Sequence, residues 1–326
     1  MTHPFDNLTP DRVVDCLESI GLVSDLRLLA LNSYENRVYQ VGIEGADPVI
    51  LKFYRAERWT DAQILEEHAF AQELVDHEIS VIAPESIAGE TLHRVLGQRF
   101  SVFKRRGGYP PELDNLDHLY RLGQTLGRIH RVGGASSFLH RRELSPSRMA
   151  TESRLFVETD FVPVELQSAY RTLAHDCDQA ATEILSAMTA DDLQRVHGDC
   201  HVGNILWRDD TPHFVDLDDC ISGPVVQDIW MFLNGDRNQR EHQLADFIEG
   251  YEEFNDFDAR QLSWIEALRT LRIMHHAAWL ARRWSDPAFP KAFPWFSNQR
   301  FWADHILELR EQMSAMHESP LQLQRS

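Results

Sequence analysis

Three polar residues in the segment 195–216 have the types and spacing that phosphoryl-transfer chemistry requires. Asp199 stands in a His-x-Asp sequence, Asn204 follows, and Asp216 ends the second strand of a predicted β-hairpin. A short loop would place Asp199 and Asn204 on the same side, and the hairpin would return Asp216 beside Asn204. Transfer from ATP needs one group that accepts a hydroxyl proton and oxygen ligands that hold Mg²⁺ against the phosphates. These residues can supply both.

A cation and a carboxylate upstream could complete this set. Lys52 is the only charged residue in an apolar strand predicted over 49–54. Such a lysine either points to solvent from an edge strand or meets the α- and β-phosphates of a nucleotide. Glu66 and Glu67 lie on the following helix. We choose Glu67 as the carboxylate that orients Lys52, because the Glu-His pair before an apolar stripe points it toward the sheet, although helix phase separates the two only weakly.

The elements that must position these residues begin with an antiparallel meander. Thr9-Pro10-Asp11 has the N-cap hydroxyl, the proline and the early carboxylate typical of a helix start. Thr60 and Gln63 predict a capping box at the start of a second helix. Runs of branched and aromatic residues predict strands over 26–31, 37–43, 49–54, 91–96 and 99–103.

Helical periodicity dominates after the turn-rich residues 107–111. One β-like island interrupts it, with strands predicted over 204–207 and 213–215. Apolar spacing predicts helices over 114–131, 163–188, 224–234, 239–254, 258–284 and 297–316. We therefore divide the chain into an N-terminal domain, 1–103, and a C-terminal domain, 104–326.

Composition restricts the classes of partner and compartment. The 326 residues carry 51 acidic side chains against 32 Lys and Arg, a net charge of −19, which argues against a sequence-independent nucleic-acid binder. No apolar run approaches the roughly 18 residues of a membrane span, and residues 1–6 lack the features of a signal peptide. Four scattered cysteines, Cys16, Cys177, Cys200 and Cys220, predict free thiols in a reducing compartment. We expect a cytoplasmic protein without membrane contact.

The segments around these residues resemble a known superfamily. The run His197–Leu206, followed by Phe214-Val215-Asp216, is similar to the signature of the aminoglycoside phosphotransferase and choline kinase superfamily, a branch of the protein-kinase-like fold. Four further segments, 32–39, 64–68, 223–230 and 282–290, resemble a bacterial protein-kinase branch of that superfamily. The resemblance extends over roughly residues 30–295.

The resemblance implies a fold and a reaction. The fold is α+β, a two-lobed protein-kinase-like structure with a small antiparallel-sheet N-lobe (1–103, nucleotide-binding) and a mainly helical C-lobe (104–326, catalytic and substrate-binding). ATP would bind at the hinge near residues 100–104. The implied acceptors are Ser and Thr hydroxyls of proteins, including the enzyme's own, in envelope stress and cell survival. We expect a monomer.

The resemblance also implies a role for each candidate site residue. Asp199 would be the catalytic base, and Asp216 would serve both catalysis and metal binding. The remaining assignments are Asn204 and Asp216 as Mg²⁺ ligands, Lys52 on the phosphates of ATP, Glu67 as the anchor of Lys52, and Ser33 near ATP in the turn over the nucleotide.

The sequence departs from the protein-kinase pattern at several points. No glycine lies between Leu31 and Val41, and no Ala-Pro-Glu follows Asp216, so control through a long activation loop is not expected. No lysine shortly follows Asp199. His201 takes that side, where its commoner role is to hold the loop by hydrogen bonds. Asp218 and Asp219 extend the acidic cluster, and we expect them to be solvated turn carboxylates rather than residues that hold Mg²⁺ waters.

Two alternative functions remain open on sequence grounds. The first is a small-molecule alcohol kinase on the same scaffold, acting on an aminoglycoside, choline or homoserine. The second is a catalytically idle nucleotide-binding regulator, against which the complete set of Lys52, Asp199, Asn204 and Asp216 argues. A zinc site at His197, Cys200, His201 and Cys220 matches no regular ligand spacing.

Overall fold

The computed structural model describes residue 5 and residues 7–323, and an antiparallel sheet forms the N-terminal region. Its strands are β1 (Ser24–Ala30), β2 (Arg37–Ile43), β3 (Ala46–Phe53), β4 (His93–Val95) and β5 (Gln98–Lys104). They lie in the order β1-β2-β3-β5-β4, and each neighbouring pair is antiparallel. The predicted meander is confirmed, and β3, which carries Lys52, is its central strand.

Two capped helices belong to this region. In α1 (Pro10–Glu18), the Thr9 hydroxyl accepts from the backbone N–H of Arg12. In α2 (Asp61–Asp76), Thr60 and Gln63 form the predicted capping box. Each cap satisfies backbone donors that a helix start leaves without an intrahelical partner. Apolar residues of α1 pack against the sheet in one cluster that includes Val13, Cys16, Leu17, Val41, Leu51, Phe53, Phe100 and Val102.

A short hairpin carries the polar residues of the β-like island. Its strands are β7 (Ile205–Arg208) and β8 (Thr211–Phe214), after β6 (Gln194–Val196) and before β9 (Ile221–Gly223). β7 pairs with β8 from Ile205 opposite Phe214, as predicted, and β6 pairs with β9. Phe214 also forms a parallel bridge with Val81, which follows α2. This bridge fixes the end of the hairpin directly before Asp216.

Helices make up most of the remaining chain. They are α3 (Leu116–Gly133), α4 (Glu152–Asp160), α5 (Val164–Leu185), α6 (Val226–Ile229), α7 (Arg237–Tyr251), α8 (Ile265–Arg282), α9 (Ala288–Ala292) and α10 (Gln299–Ala315). All six predicted helical regions contain helix, so the α+β class is confirmed. Helix α4 was not predicted, because Pro146 and the nearby Ser and Thr residues weaken the local helical signal. Burial of Val157 stabilises this helix in the fold.

The chain divides into two compact units. The first contains the described residues up to 142 together with 195–221 and 246–256, and the second contains 143–194, 222–245 and the described residues from 257. All the candidate site residues named above lie in the first unit. The outermost residues of both predicted domains, and nearly all of the 1–6 segment, lie outside the described residues. Within residues 7–323, no helix combines the length and apolar character needed to cross a membrane.

Glycines allow α3 to approach the end of α7 closely within the first unit. A Cβ at Gly123 would overlap the carbonyl oxygen of Phe247, and one at Gly250 would overlap that of Tyr120. The two helix backbones therefore touch where side chains would normally separate them. This contact fixes α3.

Substitution of Gly123 tests this close approach. We expect Gly123→Ala to lower the free energy of unfolding by about 1–3 kcal/mol, because backbone atoms cannot move aside as a flexible side chain would. Gly107→Ala is the control, since a Cβ there meets only Arg208 Nη1 at 3.7 Å. Urea denaturation compares the two variants. Equal stabilities would contradict the steric role of Gly123.

Candidate active site

Backbone contacts shape the loop that carries Asp199. Gly198 has φ +83°, and a Cβ there would overlap the carbonyl oxygen of Asp219. Only glycine meets both conditions. The buried His197 lies 2.9 Å through Nε2 from the carbonyl oxygen of Val215, so that nitrogen donates. The loop is thereby held against the segment that follows β8, and the Asp199 side chain keeps 25% of its surface exposed.

Asn204 links this loop to the hairpin. Its side-chain Nδ2 donates to the main-chain carbonyl oxygen of Asp199 at 2.9 Å. The main-chain carbonyl oxygen of Asn204 accepts from the backbone N–H of Val215 at 3.0 Å. The structure therefore brings Asp199, Asn204 and Asp216 into one neighbourhood. His201 contributes a local bond, because its Nδ1 accepts from the backbone N–H of Gly203 at 2.9 Å. Its Nε2 lies 3.5 Å from the Asp199 carboxylate.

Lys52 meets Asp216 directly. The Lys52 Nζ lies 2.7 Å from Asp216 Oδ1 and 3.2 Å from Asp218 Oδ1. Lys52 is on the central strand between Val38 and Ser101 and is only 6% exposed, so the solvent-pointing alternative is wrong. Burial alone would lower the pKa of Lys52, but the charges of the surrounding carboxylates outweigh it and raise that pKa well above its ordinary value.

Asp218 is a central member of the cluster, and the expectation that it is a solvated turn residue is wrong. It is 3% exposed, and its carboxylate contacts Lys52, the guanidinium of Arg58 and the Asn36 amide at 3.2 Å. Burial would raise its pKa, but Arg58 and Lys52 hold it well below its usual range. Local sequence gave no sign of this, because Arg58 and Asn36 lie more than 150 residues away.

Asp219 is less enclosed than Asp218. Its side chain is 46% exposed, and Arg58 Nη2 donates to its Oδ1 at 2.6 Å. Desolvation raises its pKa, and the neighbouring carboxylates of Asp218, Asp199 and Asp216 add to that rise. Asp219 is therefore held in an ion pair, but its carboxylate stays partly solvated, in line with the expectation for a turn residue.

Glu66 and Glu67 have different environments. Glu67 is 3% exposed and lies 3.9 Å from Arg141 Nη1, and its charge reaches Lys52. Burial raises its pKa to about 7, against the opposing effect of Lys52. Glu66 instead accepts three backbone N–H groups of residues 139–141. The structure thus brings Glu67, rather than Glu66, toward Lys52.

Ser33 lies in the turn between β1 and β2. Its hydroxyl donates to the backbone oxygen of Asn36 at 3.3 Å. The side chain of Asn36 provides the contact from this turn to Asp218. The proximity of Ser33 to ATP stays a prediction.

The donor set near the hairpin fits a hard divalent cation. Asp216 supplies a carboxylate that is 53% exposed, and Asn204 retains its amide oxygen because Nδ2 is already bonded. Both are oxygen ligands of the kind Mg²⁺ prefers, and Mg²⁺ keeps waters and phosphate oxygens for its other positions. Among residues 7–323, no cluster of three or more His, Cys, Asp and Glu side chains is arranged to hold a metal ion by itself, so this site relies on the Asn204 amide and on phosphate oxygens. All four cysteines are buried and lie outside any disulfide, in line with the predicted thiols.

The pKa of Glu67 predicts a pH-dependent stability. A carboxyl group whose pKa is raised by folding binds its proton more tightly in the native state. Its contribution to the free energy of unfolding is therefore complete below pH 4.5 and is lost as pH rises through 7. Relative to Glu67→Gln, the wild type should lose about 1–3 kcal/mol of unfolding free energy between pH 4.5 and 7.5. Urea melts across this range measure the difference. Parallel profiles of the two proteins would contradict the assignment, and the exposed Glu44→Gln is the control.

Curated relatives match nearly the whole chain. Stress response kinase A of Escherichia coli strain K12 is 45% identical over 98% of this chain and 97% of that protein. The serine/threonine protein kinase RdoA of Salmonella typhimurium strain LT2 is 42% identical over 98% of this chain and 97% of its own length. The predicted relationship to a bacterial kinase branch is confirmed.

Solved structures share the fold. Amicoumacin kinase hAmiN, solved in complex with AMP-PNP, Ca²⁺ and Ami, is 20% identical with a TM-score of 0.74, and 95% of each chain is covered. A microcompartment-associated aminopropanol kinase is 17% identical with a TM-score of 0.69, covering 91% of this chain and 94% of that one. At these identities the likeness concerns the fold, and it confirms the predicted fold class.

A family assignment follows from the match and the geometry together. The model of the phosphotransferase enzyme family matches residues 27–265, the range that contains the lysine, the loop and the hairpin described above. Kinase-like members of this family use ATP with a divalent cation. The chain therefore belongs to the phosphotransferase enzyme family and is a phosphotransferase.

Proposed function

We propose that this phosphotransferase is an ATP- and Mg²⁺-dependent protein kinase that phosphorylates Ser and Thr hydroxyls, including its own. The observation that carries the chemical part is the buried Lys52 ammonium 2.7 Å from Asp216, in the same unit as the Asp199 loop. The relative named as a serine/threonine protein kinase supports the acceptor class, and the relative named as a stress response kinase supports a role in stress response.

Each candidate residue has one part in this proposal. Asp199 is the base, because its carboxylate is partly exposed and a hydroxyl can reach it. Asn204 and Asp216 hold Mg²⁺, which when bound neutralises charge on the phosphates. Lys52 pairs with the phosphates, Glu67 orients Lys52, and Ser33 lies over the nucleotide.

The proposal keeps the division into a nucleotide-binding lobe, 1–103, and a catalytic and substrate-binding lobe, 104–326. Under it the protein works as a monomer in the cytoplasm, where ATP is supplied and cysteines stay outside disulfides. The net charge of −19 favours acceptor segments that are basic, because complementary charge speeds encounter.

Transfer of labelled phosphate tests the acceptor. Wild-type protein with γ-labelled ATP should label itself and a general basic protein, and Asp199→Asn should lower the rate by about 10²- to 10⁴-fold while ATP binding is kept. The matched control is Asp209→Asn, which changes a side chain that is 88% exposed on the hairpin turn.

A different outcome would favour the small-molecule alternative. The fold is shared with an amicoumacin kinase and an aminopropanol kinase. If the wild type labels no protein but consumes ATP with aminopropanol, choline, homoserine or an aminoglycoside, the acceptor is a small alcohol. If it binds ATP but transfers phosphate to none of these, the idle regulator replaces both.

Substitution of Asp216 tests the metal assignment. Asp216→Asn replaces a charged oxygen ligand by a neutral amide, so the Mg²⁺ concentration for half-maximal rate should rise by about 10-fold or more. A Mg²⁺ titration of the labelling rate measures this for the variant and for Asp209→Asn. An unchanged midpoint in Asp216→Asn would remove Asp216 from the metal site.

A further inference from the structure

Arg141 is a buried cation whose donors are aimed at the segment after Asp216. Its side chain has no exposed surface. Its Nε donates to the carbonyl oxygen of Cys220 at 2.9 Å, and Nη2 donates to the carbonyl oxygen of Asp218. A buried guanidinium is costly unless its donors are satisfied, so these bonds are a strong constraint on the geometry. Both acceptors belong to the short turn that begins at Asp216.

The same guanidinium also contacts α2. Nη1 donates to the backbone oxygen of Gln63 at 3.4 Å and lies 3.9 Å from the Glu67 carboxylate. The Trp59 ring lies under the guanidinium at 4.0 Å. One side chain therefore joins the helix that carries Glu67 to the turn that carries Asp216 and Asp218.

Glu66 fixes the backbone of the loop that carries Arg141. Its carboxylate accepts the backbone N–H groups of Leu139 at 2.5 Å, His140 at 2.8 Å and Arg141 at 2.6 Å. Three charge-assisted bonds to one carboxylate hold this loop rigidly against α2. The Arg141 side chain thus starts from a fixed backbone point, and its planar fork leaves little freedom to the carbonyl groups that it holds.

We propose that Arg141 is a positioning residue of phosphoryl transfer, which sets the place of the Asp216 carboxylate by holding the backbone at Asp218 and Cys220. The inference rests on the proposed role of Asp216 as a metal ligand. Arg141 does not touch the reacting groups. It acts through the turn, because the ligand and the held carbonyl at Asp218 are only two residues apart.

Arg195 offers a matched control within the same unit. It is also buried, donates to the carbonyl oxygens of Val132 and Gly133, pairs with Glu73 of α2 at 2.7 Å and stacks on an aromatic ring. Arg141→Lys and Arg195→Lys therefore remove equivalent guanidinium forks. Only the first fork holds the Asp216 turn.

Binding of Mn²⁺ to the full-length protein with saturating ADP, measured by electron paramagnetic resonance, tests the proposal without an acceptor. We expect Arg141→Lys to raise the Mn²⁺ dissociation constant by about 10-fold, as loss of outer-shell support does elsewhere. The Mn²⁺ dissociation constant of Arg195→Lys should stay within about twofold of the wild-type value, even if this variant loses as much melting temperature as Arg141→Lys does. Asp216→Asn provides the reference for a lost ligand.

Kinetics give a second readout. In the labelling assay, kcat of Arg141→Lys should fall by about 10²-fold, as for a reacting group displaced by about 1 Å, while KM for ATP is kept. Unchanged Mn²⁺ affinity in Arg141→Lys, or equal losses in both arginine variants, would overturn the proposal.

Glu66→Gln covers the case in which Arg141→Lys does not fold. This variant keeps the guanidinium but weakens the hold on its loop, so the Mn²⁺ dissociation constant should rise in the same direction by a smaller factor. Wild-type Mn²⁺ affinity in Glu66→Gln would then decide against Arg141. A wild type that binds Mn²⁺ and ADP but labels no protein would contradict the protein-kinase proposal alone, since the binding comparison needs no acceptor.

Discussion

The buried ammonium of Lys52 is the constraint on which the site depends. A cation taken out of water on the central strand of a sheet is stable only beside carboxylates. Asp216 and Asp218 provide them, and both come from a turn more than 160 residues later in the chain. Burial of Lys52 therefore requires this turn to lie beside the central strand. The Val81–Phe214 bridge, which ends β8 beside the chain that follows α2, supports this arrangement from the backbone.

The buried carboxylates beside Lys52 carry more negative charge than one ammonium can neutralise, and two arginines supply further positive charge. Asp218 is nearly as buried as Lys52, and one ammonium cannot neutralise it together with Asp216 and Glu67. Arg58 contacts the Asp218 carboxylate, and Arg141 donates to its backbone oxygen. Burial raises the pKa of Glu67 to about 7, so this carboxyl is partly protonated near neutral pH. Asp199 and Asp219 add two further carboxylates to the same neighbourhood, so five carboxylates face the three cations where the proposal puts a divalent cation.

Local sequence predicted the elements and the reacting residue types, but not the partners of those residues. The capping box at Thr60 and the strand over 37–43 depend on neighbours in sequence, and both were predicted correctly. Asp218 in its Asp-Leu-Asp-Asp context looks like a solvated turn residue, because its partners Arg58 and Asn36 come from distant segments. The role of Glu66 was also not predicted, since its carboxylate binds backbone N–H groups of residues 139–141, which are distant in sequence. Side-chain burial is a tertiary property, and composition and periodicity do not contain it.

The backbone fixes the relation between the base and the metal ligand as firmly as the charges do. Asp216 has φ +59° and ψ +62°, a left-handed conformation that costs a non-glycine residue about 1–2 kcal/mol, although Asp tolerates it better than most. Gly198, also at positive φ, lets the Asp199 loop lie against the carbonyl of Asp219. At Gly198 the loop and the turn that follows Asp216 touch through main-chain atoms. A side chain between them would separate Asp199 from Asp216, so the glycine is as much a part of the site as the two carboxylates.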